Sequence, residues 1–352
     1  MFTRRQMLQS ISVATTVAAA ATAFPATALS PVVPKIQVPL RPRCLKAGDT
    51  IGLVSPSMAR YERTPFAIAT ENMKALGFKV KEGQSLRARN GYFAGSDAQR
   101  AGDLNAMFAD PDVDGIVAMS GGAGATRILN LLDYDVIRRN PKCLCGFSDI
   151  TALLNAIQAR TGLVTFHGPM AASEWNEFTL GYFRRLLLEG EAITFRNPVE
   201  LNGMLTQLTD RTQTVRGGRA RGRLLGGNLS VLNTLLGTPY QPDFRGAILV
   251  IEDVDEYIYR VDRMLAHLRL AGVLDKLAGV VIGQFVDCKP GEGFGRLSLE
   301  EVFDDYLKPL NIPVYSGAMF GHIKRKFTLP IGLEAEMDAD ACTLTLSQPA
   351  VI

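Results

Sequence analysis

Residues 142–161 read Lys142-Cys-Leu-Cys-Gly146-Phe-Ser148-Asp-Ile150-Thr-Ala-Leu-Leu-Asn-Ala-Ile157-Gln-Ala-Arg-Thr161. A short apolar run ends at Gly146 and a helical pattern starts at once, with Ile150, Leu153, Leu154 and Ile157 along one face. This is a strand that turns sharply into a helix, with Ser148 on the turn. Such a turn lifts a side chain clear of a sheet and aims backbone N–H groups at whatever binds there. Two readings of Ser148 stand at this point: a nucleophile, or a serine that caps the helix.

Upstream, strands and helices alternate. Thr50–Val54 reads as a strand, 64–76 as a helix ending at Gly77, and Phe78–Lys81 as a second strand. Ser96-Asp-Ala-Gln99 is a capping-box pattern that opens a helix to about Ala109; Gly115–Met119 is a strand and Ala125–Leu132 a helix. This alternation predicts an α/β fold, a doubly wound parallel sheet with its functional loops beyond the C-terminal strand ends. Gly121–Gly124 and Ser148 both fall there. Downstream the character changes. Residues 176–205 read as a helical crossover with a loop, and Thr214–Arg223, rich in glycine and arginine, as a solvated loop. Ala247–Glu252, Val280–Phe285, Val314–Ser316 and Cys342–Leu346 read as strands, with helices near 259–270 and 298–308. The expected organisation is an N-terminal α/β domain over 46–170, a crossover over 171–215, and a second, mixed α/β domain over 216–352.

A serine-histidine mechanism would draw its base from three histidines. His267 lies on a helical run with Val261, Met264, Leu265 and Leu268 and reads as structural. His167, in Phe-His-Gly-Pro-Met, and His322, in Met-Phe-Gly-His-Ile-Lys-Arg, lie in loop-like contexts, where chemistry is more often carried. The acid of a triad should be buried and fixed. Ala247–Ile251 is a continuous apolar run that suits a buried strand, and Glu252 follows directly; Asp255 and Glu256 read as a solvated loop. Gly121-Gly-Ala-Gly124 could cradle a phosphate, but no Lys-Ser/Thr follows and the spacing is not a dinucleotide fingerprint. It suits a loop of backbone donors better.

Gly-Phe-Ser148-Asp-Ile-Thr, Ile-Leu-Val-Ile-Glu252-Asp-Val-Asp-Glu and Phe-Gly-His322 occur in that order. With Gly91-Tyr-Phe-Ala-Gly-Ser-Asp-Ala-Gln-Arg100, Phe166-His-Gly-Pro-Met170, Gly226-Gly-Asn-Leu229 and Leu236-Gly-Thr-Pro239, they make residues 46–350 resemble an LD-carboxypeptidase. That serine peptidase family also contains the microcin C immunity peptidases. The resemblance implies Ser148 as nucleophile, Glu252 as triad acid and His322 as general base. It implies an oxyanion hole from the amide of Asp149 and one from the glycine loop, at Gly122 or Ala123. It also implies a homodimer, no cofactor or metal, and a peptidoglycan substrate, the murein tetrapeptide stem, cut before its terminal D-alanine. Asn228 and Arg127 are the expected substrate contacts. Two departures bear on recognition: Ser120-Gly-Gly-Ala-Gly124 stands where the family usually has Arg-Gly-Gly-Tyr-Gly, and Leu225 where a tryptophan is often found. The alternatives are an immunity-type peptidase acting on aminoacyl-nucleotide antibiotics and a non-catalytic binder of murein fragments. The lost aromatics at Ala123 and Leu225 weaken stacking on a nucleobase.

The N-terminus reads as an export signal. Thr-Arg4-Arg5-Gln-Met-Leu is a twin-arginine pattern, an alanine-rich run follows to Ala23, and Ala26-Thr-Ala28 fits a cleavage site. Residues 1–28 carry those two arginines and no acid, so removing them takes the formal net charge from +3 to +1. Such a chain has no bulk electrostatic reason to bind nucleic acid. The apolar run is too short and alanine-rich for stable membrane insertion, and a periplasmic location is expected. Residues 29–45, with Pro31, Pro34, Pro39 and Pro42, read as an extended tether. Five cysteines, an odd number at no metal spacing, suggest no disulfide framework; Cys143 and Cys145 read as core.

Overall fold

In the computed structural model, residues 38–291 and 296–352 are described. The twin-arginine signal and most of the proline-rich stretch lie outside them. Five strands, β1 (Thr50–Val54), β2 (Lys79–Glu82), β3 (Gly115–Ala118), β4 (Cys143–Gly146) and β5 (Thr165–His167), form a parallel sheet in the order β5-β4-β3-β1-β2. Helices α1 (Arg63–Ala75), α2 (Asp97–Ala109), α3 (Tyr134–Arg139) and α4 (Thr151–Thr161) lie between them in sequence. β3 and β4 are buried throughout, as continuous apolar strands covered on both faces should be. β2, Lys79-Val-Lys-Glu82, is charged and largely exposed at the sheet's edge, which discourages pairing with another chain. The box at Ser96 forms as read, with Ser96 Oγ accepting from the Gln99 amide and the Gln99 side chain accepting from the Ser96 amide.

Helix α5 (Glu177–Leu187) leads to the second sheet. Its strands are β6 (Thr194–Phe195), β7 (Gln213–Arg216), β8 (Arg219–Asn228), β9 (Ile248–Val254), β10 (Gly279–Val286), β11 (Val314–Ser316), β13 (Glu334–Asp338) and β14 (Thr343–Leu346). They run in the order β6-β14-β13-β8-β9-β10-β11-β7, with β8 to β11 parallel and the flanks antiparallel. Helices α6 (Leu229–Asn233), α7 (Ile258–Leu270) and α8 (Leu299–Leu307) belong to this half. The remaining strand, β12 (Leu329–Ile331), pairs antiparallel with β5, so the C-terminal half supplies an edge strand to the first sheet. The fold is thus α/β with a parallel-rich and a mixed sheet.

Two local expectations need correction. Thr214–Arg223 is not a solvated loop but the end of β7 and the start of β8. Its arginines alternate with Ala220 and Gly222, the period of a half-exposed strand, and Arg219 and Arg221 pair with Asp338 and Glu334 on β13. Residues 38–45 are packed rather than a free tether: Leu40 bridges to Leu163, the amides of Cys44 and Leu45 donate to the carbonyls of Ile352 and Leu187, and Leu45 is buried. The helix expected over Ala125–Leu132 is present and winds as a 3₁₀ helix, Ala125–Leu131.

Candidate active site

The turn after β4 has the sharpness the sequence suggested. Phe147 is extended, Ser148 adopts φ 62°, and one 3₁₀ turn, Ser148–Ile150, leads into α4. Positive φ is uncommon for a residue with a Cβ and costs it roughly 1–2 kcal/mol. Neither the 3₁₀ turn nor α4 has a side-chain cap, so the Ser148 hydroxyl is free to act elsewhere. The glycine loop after β3 passes directly against it. A Cβ on Gly121 would lie 3.0 Å from the Ser148 Cβ, tighter than most side-chain contacts, so a larger residue there would push against the serine.

The Ser148 hydroxyl lies 2.9 Å from Nε2 of His322, and Nδ1 of His322 lies 2.7 Å from Oε2 of Glu252. A carboxylate can only accept, so Nδ1 carries the proton and donates to Glu252. Nε2 is then left to accept from the serine hydroxyl. Glu252 sits on β9 with no exposure, and its second oxygen has no partner among the described residues. A carboxylate this buried depends on its remaining partner, and here that partner is His322. His322 hangs on a loop whose Gly321 has φ 112°; a Cβ there would lie 2.7 Å from Glu252 Oε2. The imidazole also packs edge-on against Phe147, with ring centroids 4.9 Å apart.

Asp149 does more than offer an amide. Its buried carboxylate accepts from the hydroxyl of Ser57 at 2.5 Å and from the amide of Ala125 at 2.8 Å. It therefore ties the loop after β1 and the end of the glycine loop to the serine turn. A cavity of about 380 Å³ opens over this arrangement, lined by Ser148, His322, Phe147, Gly121, Gly122 and Ser120 among others, with Arg60 at its wall.

Not every expected site residue is there. Ala123 does not line the cavity, whereas Gly122 does. Asn228 is buried outside it: its oxygen caps α6 through the Val231 amide (3.1 Å), and its nitrogen donates to Asp253 (2.9 Å). Arg127 is held in a bidentate pair with Asp97 (2.9–3.1 Å) and faces solvent. Both side chains are engaged with structural partners, and neither lines this cavity. His167 lies close by but outside the relay. Burial pushes its ring down to about 4, and neither nitrogen has a partner among the described residues. His267 bonds Asn233 from its helix. Sequence reasoning overlooked Lys326, a buried ammonium 4.0 Å over the Phe147 ring and pushed down to about 8 by burial. It also overlooked the Asp149 carboxylate, Ser57, Ser120 and Arg60. Only the position of Asp149 beside Ser148 could have drawn attention. Among the described residues no group of His, Cys, Asp and Glu is placed to hold a metal ion, and no helix is long and apolar enough to cross a membrane.

Comparison with known proteins bears on both halves. Family models of the LD-carboxypeptidase N-terminal and C-terminal domains match residues 51–168 and 221–337. A probable murein peptide carboxypeptidase of Bacillus subtilis is 38% identical over 303 residues, 85% of this chain and 91% of that protein. The crystal structure of muramoyltetrapeptide carboxypeptidase from Oxalobacter formigenes aligns with a TM-score of 0.72 at 29% identity, covering 84% of this chain and 97% of that one. The structure of MccF in complex with glutamyl sulfamoyl guanosine aligns with a TM-score of 0.79 at 29% identity, covering 89% of this chain and 100% of that one.

Proposed function

Because the chain belongs to the LD-carboxypeptidase family, we propose that it is a serine-type LD-carboxypeptidase that releases terminal D-alanine from murein tetrapeptide stems. The observation that carries this reading is the unbroken chain from Ser148 through His322 to Glu252, opening on a cavity beside the glycine loop. His322 takes the Ser148 proton as Oγ attacks the scissile carbonyl carbon. Glu252 holds the imidazole in the productive tautomer and stabilises its cation. The amides of Asp149 and Gly122 receive the developing oxyanion, each donor typically worth about 3 kcal/mol. The C–N bond breaks as His322 passes its proton to the leaving amine of D-alanine. Water, deprotonated by the same histidine, then attacks the acyl-enzyme and frees Ser148.

The substrate class is supported by the names of relatives that act on murein peptides. The competing reading, cleavage of an aminoacyl nucleotide, is supported by the likeness to MccF with its bound glutamyl sulfamoyl guanosine. It ranks second because, among the described residues, Phe147 is the only phenyl, phenol or indole ring that lines the cavity to stack on a base. Incubating the protein with a tetrapeptide stem and, separately, with an aminoacyl sulfamoyl nucleoside decides between them. D-alanine release supports the first reading, and cleavage of the nucleoside alone reverses the order. Tight binding with no cleavage of either makes the protein a murein-fragment binder.

The periplasm is the proposed location, reached by the twin-arginine route. Lysine at Arg4 and Arg5 should strand the precursor in the cytoplasm, because the receptor reads the pair as an address rather than as charge; unchanged periplasmic yield would refute this. The proposed homodimer predicts a sedimentation mass twice that of the chain, and a monomer at micromolar concentration would remove it.

A further inference from the structure

We propose that Arg60 reads the free terminal carboxylate of the substrate and so makes the enzyme a carboxypeptidase rather than an endopeptidase. The inference rests on the carboxypeptidase reading above and assigns the residue that enforces it.

A terminal D-alanine brings its carboxylate within three bonds of the scissile carbonyl carbon. The anion must therefore enter the cavity that holds Ser148, and an unpaired carboxylate removed from water is costly. Of the described residues that line this cavity, Arg60 alone carries a permanent charge, and His322 is the only other titratable one. Arg60 forms no ion pair among the described residues. Its guanidinium fork is therefore uncommitted, and that fork matches a carboxylate in two parallel hydrogen bonds.

The loop that carries Arg60 is fixed to the catalytic turn. It leaves the C-terminal end of β1, Ser57 on it is held by the Asp149 carboxylate at 2.5 Å, and the Ala59 amide donates to Tyr92 at 2.9 Å. The residue next to the nucleophile thus sets the position of the cation. Two further observations agree. Ser120, 2% exposed and lining the same cavity, has a hydroxyl with no partner among the described residues. Buried polar groups are nearly always paired, and a carboxylate oxygen would supply the missing acceptor. Arg60 also lines a neighbouring groove of about 630 Å³, where five cations, Arg60, Arg63, Lys74, Arg87 and Arg89, outnumber three carboxylates, Glu62, Glu71 and Glu82. This positive excess draws an anion toward the site. Lys326, the other cation nearby, lies on the face of Phe147 and does not line the cavity.

The test is a cycle of two substrates and three proteins. D-alanine or D-alaninamide release is followed from a tetrapeptide with a free C-terminal carboxylate and from its C-terminal amide, by the native enzyme, Arg60→Gln and Lys326→Met. The native enzyme should favour the carboxylate roughly 10- to 100-fold in kcat/KM, as expected for a charge-assisted contact. In Arg60→Gln that preference should shrink to a few-fold, with most of the loss in KM, and Arg60→Lys should restore part of it. Lys326→Met should keep the preference. An Arg60→Gln enzyme that discriminates as well as the native one overturns the proposal, and so does a Lys326→Met enzyme that has lost discrimination. Should the native enzyme release nothing from either peptide, the proposed function fails by itself. Calorimetric binding of the two peptides to Ser148→Ala, with and without Arg60→Gln, then decides the role of Arg60. A carboxylate preference lost with Arg60 sustains it, and no such preference overturns it.

Discussion

Ser148 is held at φ 62°, and its hydroxyl makes a 2.9 Å contact with His322, so two substitutions there separate strain from chemistry. Alanine keeps the Cβ, and with it the left-handed strain, while losing the hydroxyl and a hydrogen bond worth about 1 kcal/mol. Glycine loses the same hydroxyl but relieves the roughly 1–2 kcal/mol that a Cβ costs in this conformation. Against that stands the greater freedom of glycine in the unfolded chain, about 0.5–1 kcal/mol. Ser148→Gly should therefore be more stable than Ser148→Ala by roughly 0.5–1 kcal/mol, the reverse of the order at an ordinary helical position. Both should release D-alanine several orders of magnitude more slowly than the native enzyme, since both lack the attacking oxygen. Denaturant midpoints measured side by side, at equal slope, give the stability order, and D-alanine release on the same preparations gives the chemistry. A Ser148→Gly protein less stable than Ser148→Ala would show that the turn stores no strain. Full release by Ser148→Ala would remove Ser148 from the mechanism.

Glu252→Gln keeps the shape of the relay but offers His322 no charged acceptor, so turnover should fall on the order of 10³- to 10⁴-fold; a loss under tenfold in kcat would argue that Glu252 does not orient the base. Gly321→Ala should cost about 1–2 kcal/mol and depress kcat, because its Cβ would press on Glu252 Oε2; unaltered melting and turnover would show that the His322 loop relaxes freely. Burial pushes Asp253 up to about 6, so the native state holds a proton that the unfolded chain releases near 4. Its contribution is present below pH ~4 and lost as pH rises through 6, roughly 3 kcal/mol in all. Asp253→Asn should abolish that loss, and an unchanged stability difference between pH 4.5 and 7.5 would refute it. His167, pushed down to about 4, works the other way. Its contribution is present above pH ~6.5 and lost as pH falls toward 4, so His167→Leu should flatten the acid limb of the stability curve.

Much of the site was legible because each element that carries it announces itself locally. The strand-turn-helix at Ser148 is a change of hydrophobic period. Glu252 ends an apolar run, and His322 sits in a glycine-flanked loop. What was not legible depends on contacts between distant residues. Nothing in the sequence marks Asp149 as the carboxylate that ties Ser57 to Ala125, 92 and 24 residues away. Arg127 and Asn228 looked available because sequence shows polarity but not prior engagement with Asp97 and Asp253. The Arg219–Arg223 stretch looked like loop because glycine and arginine dominate its composition. Its two-residue alternation, set against the carboxylates of β13, is what makes it a strand.

The relay draws on both sheets, and the chain is routed so that neither can shift without the other. The segment that bears His322 leaves β11 in the second sheet and ends in β12, which is paired to β5 in the first. On the opposite side of the relay, α4 begins just past Ser148 and is bonded directly to β8. The Asn228 amide donates to Thr151 Oγ1 at 3.0 Å, and the Asn155 side chain spans the amide and carbonyl of Gly226 at 3.1 and 2.7 Å. β8 in turn pairs with β9, with Asn228 in register with Glu252. The path from Ser148 to Glu252 is therefore helix turn, side-chain hydrogen bonds and one strand pairing, all buried. Catalytic constellations need their groups held to within a fraction of an ångström, and rigid elements achieve this better than loops. This arrangement leaves His322 as the one relay member on a loop, the member that in the proposed mechanism changes hydrogen-bond partners as it moves a proton from the serine to the leaving amine.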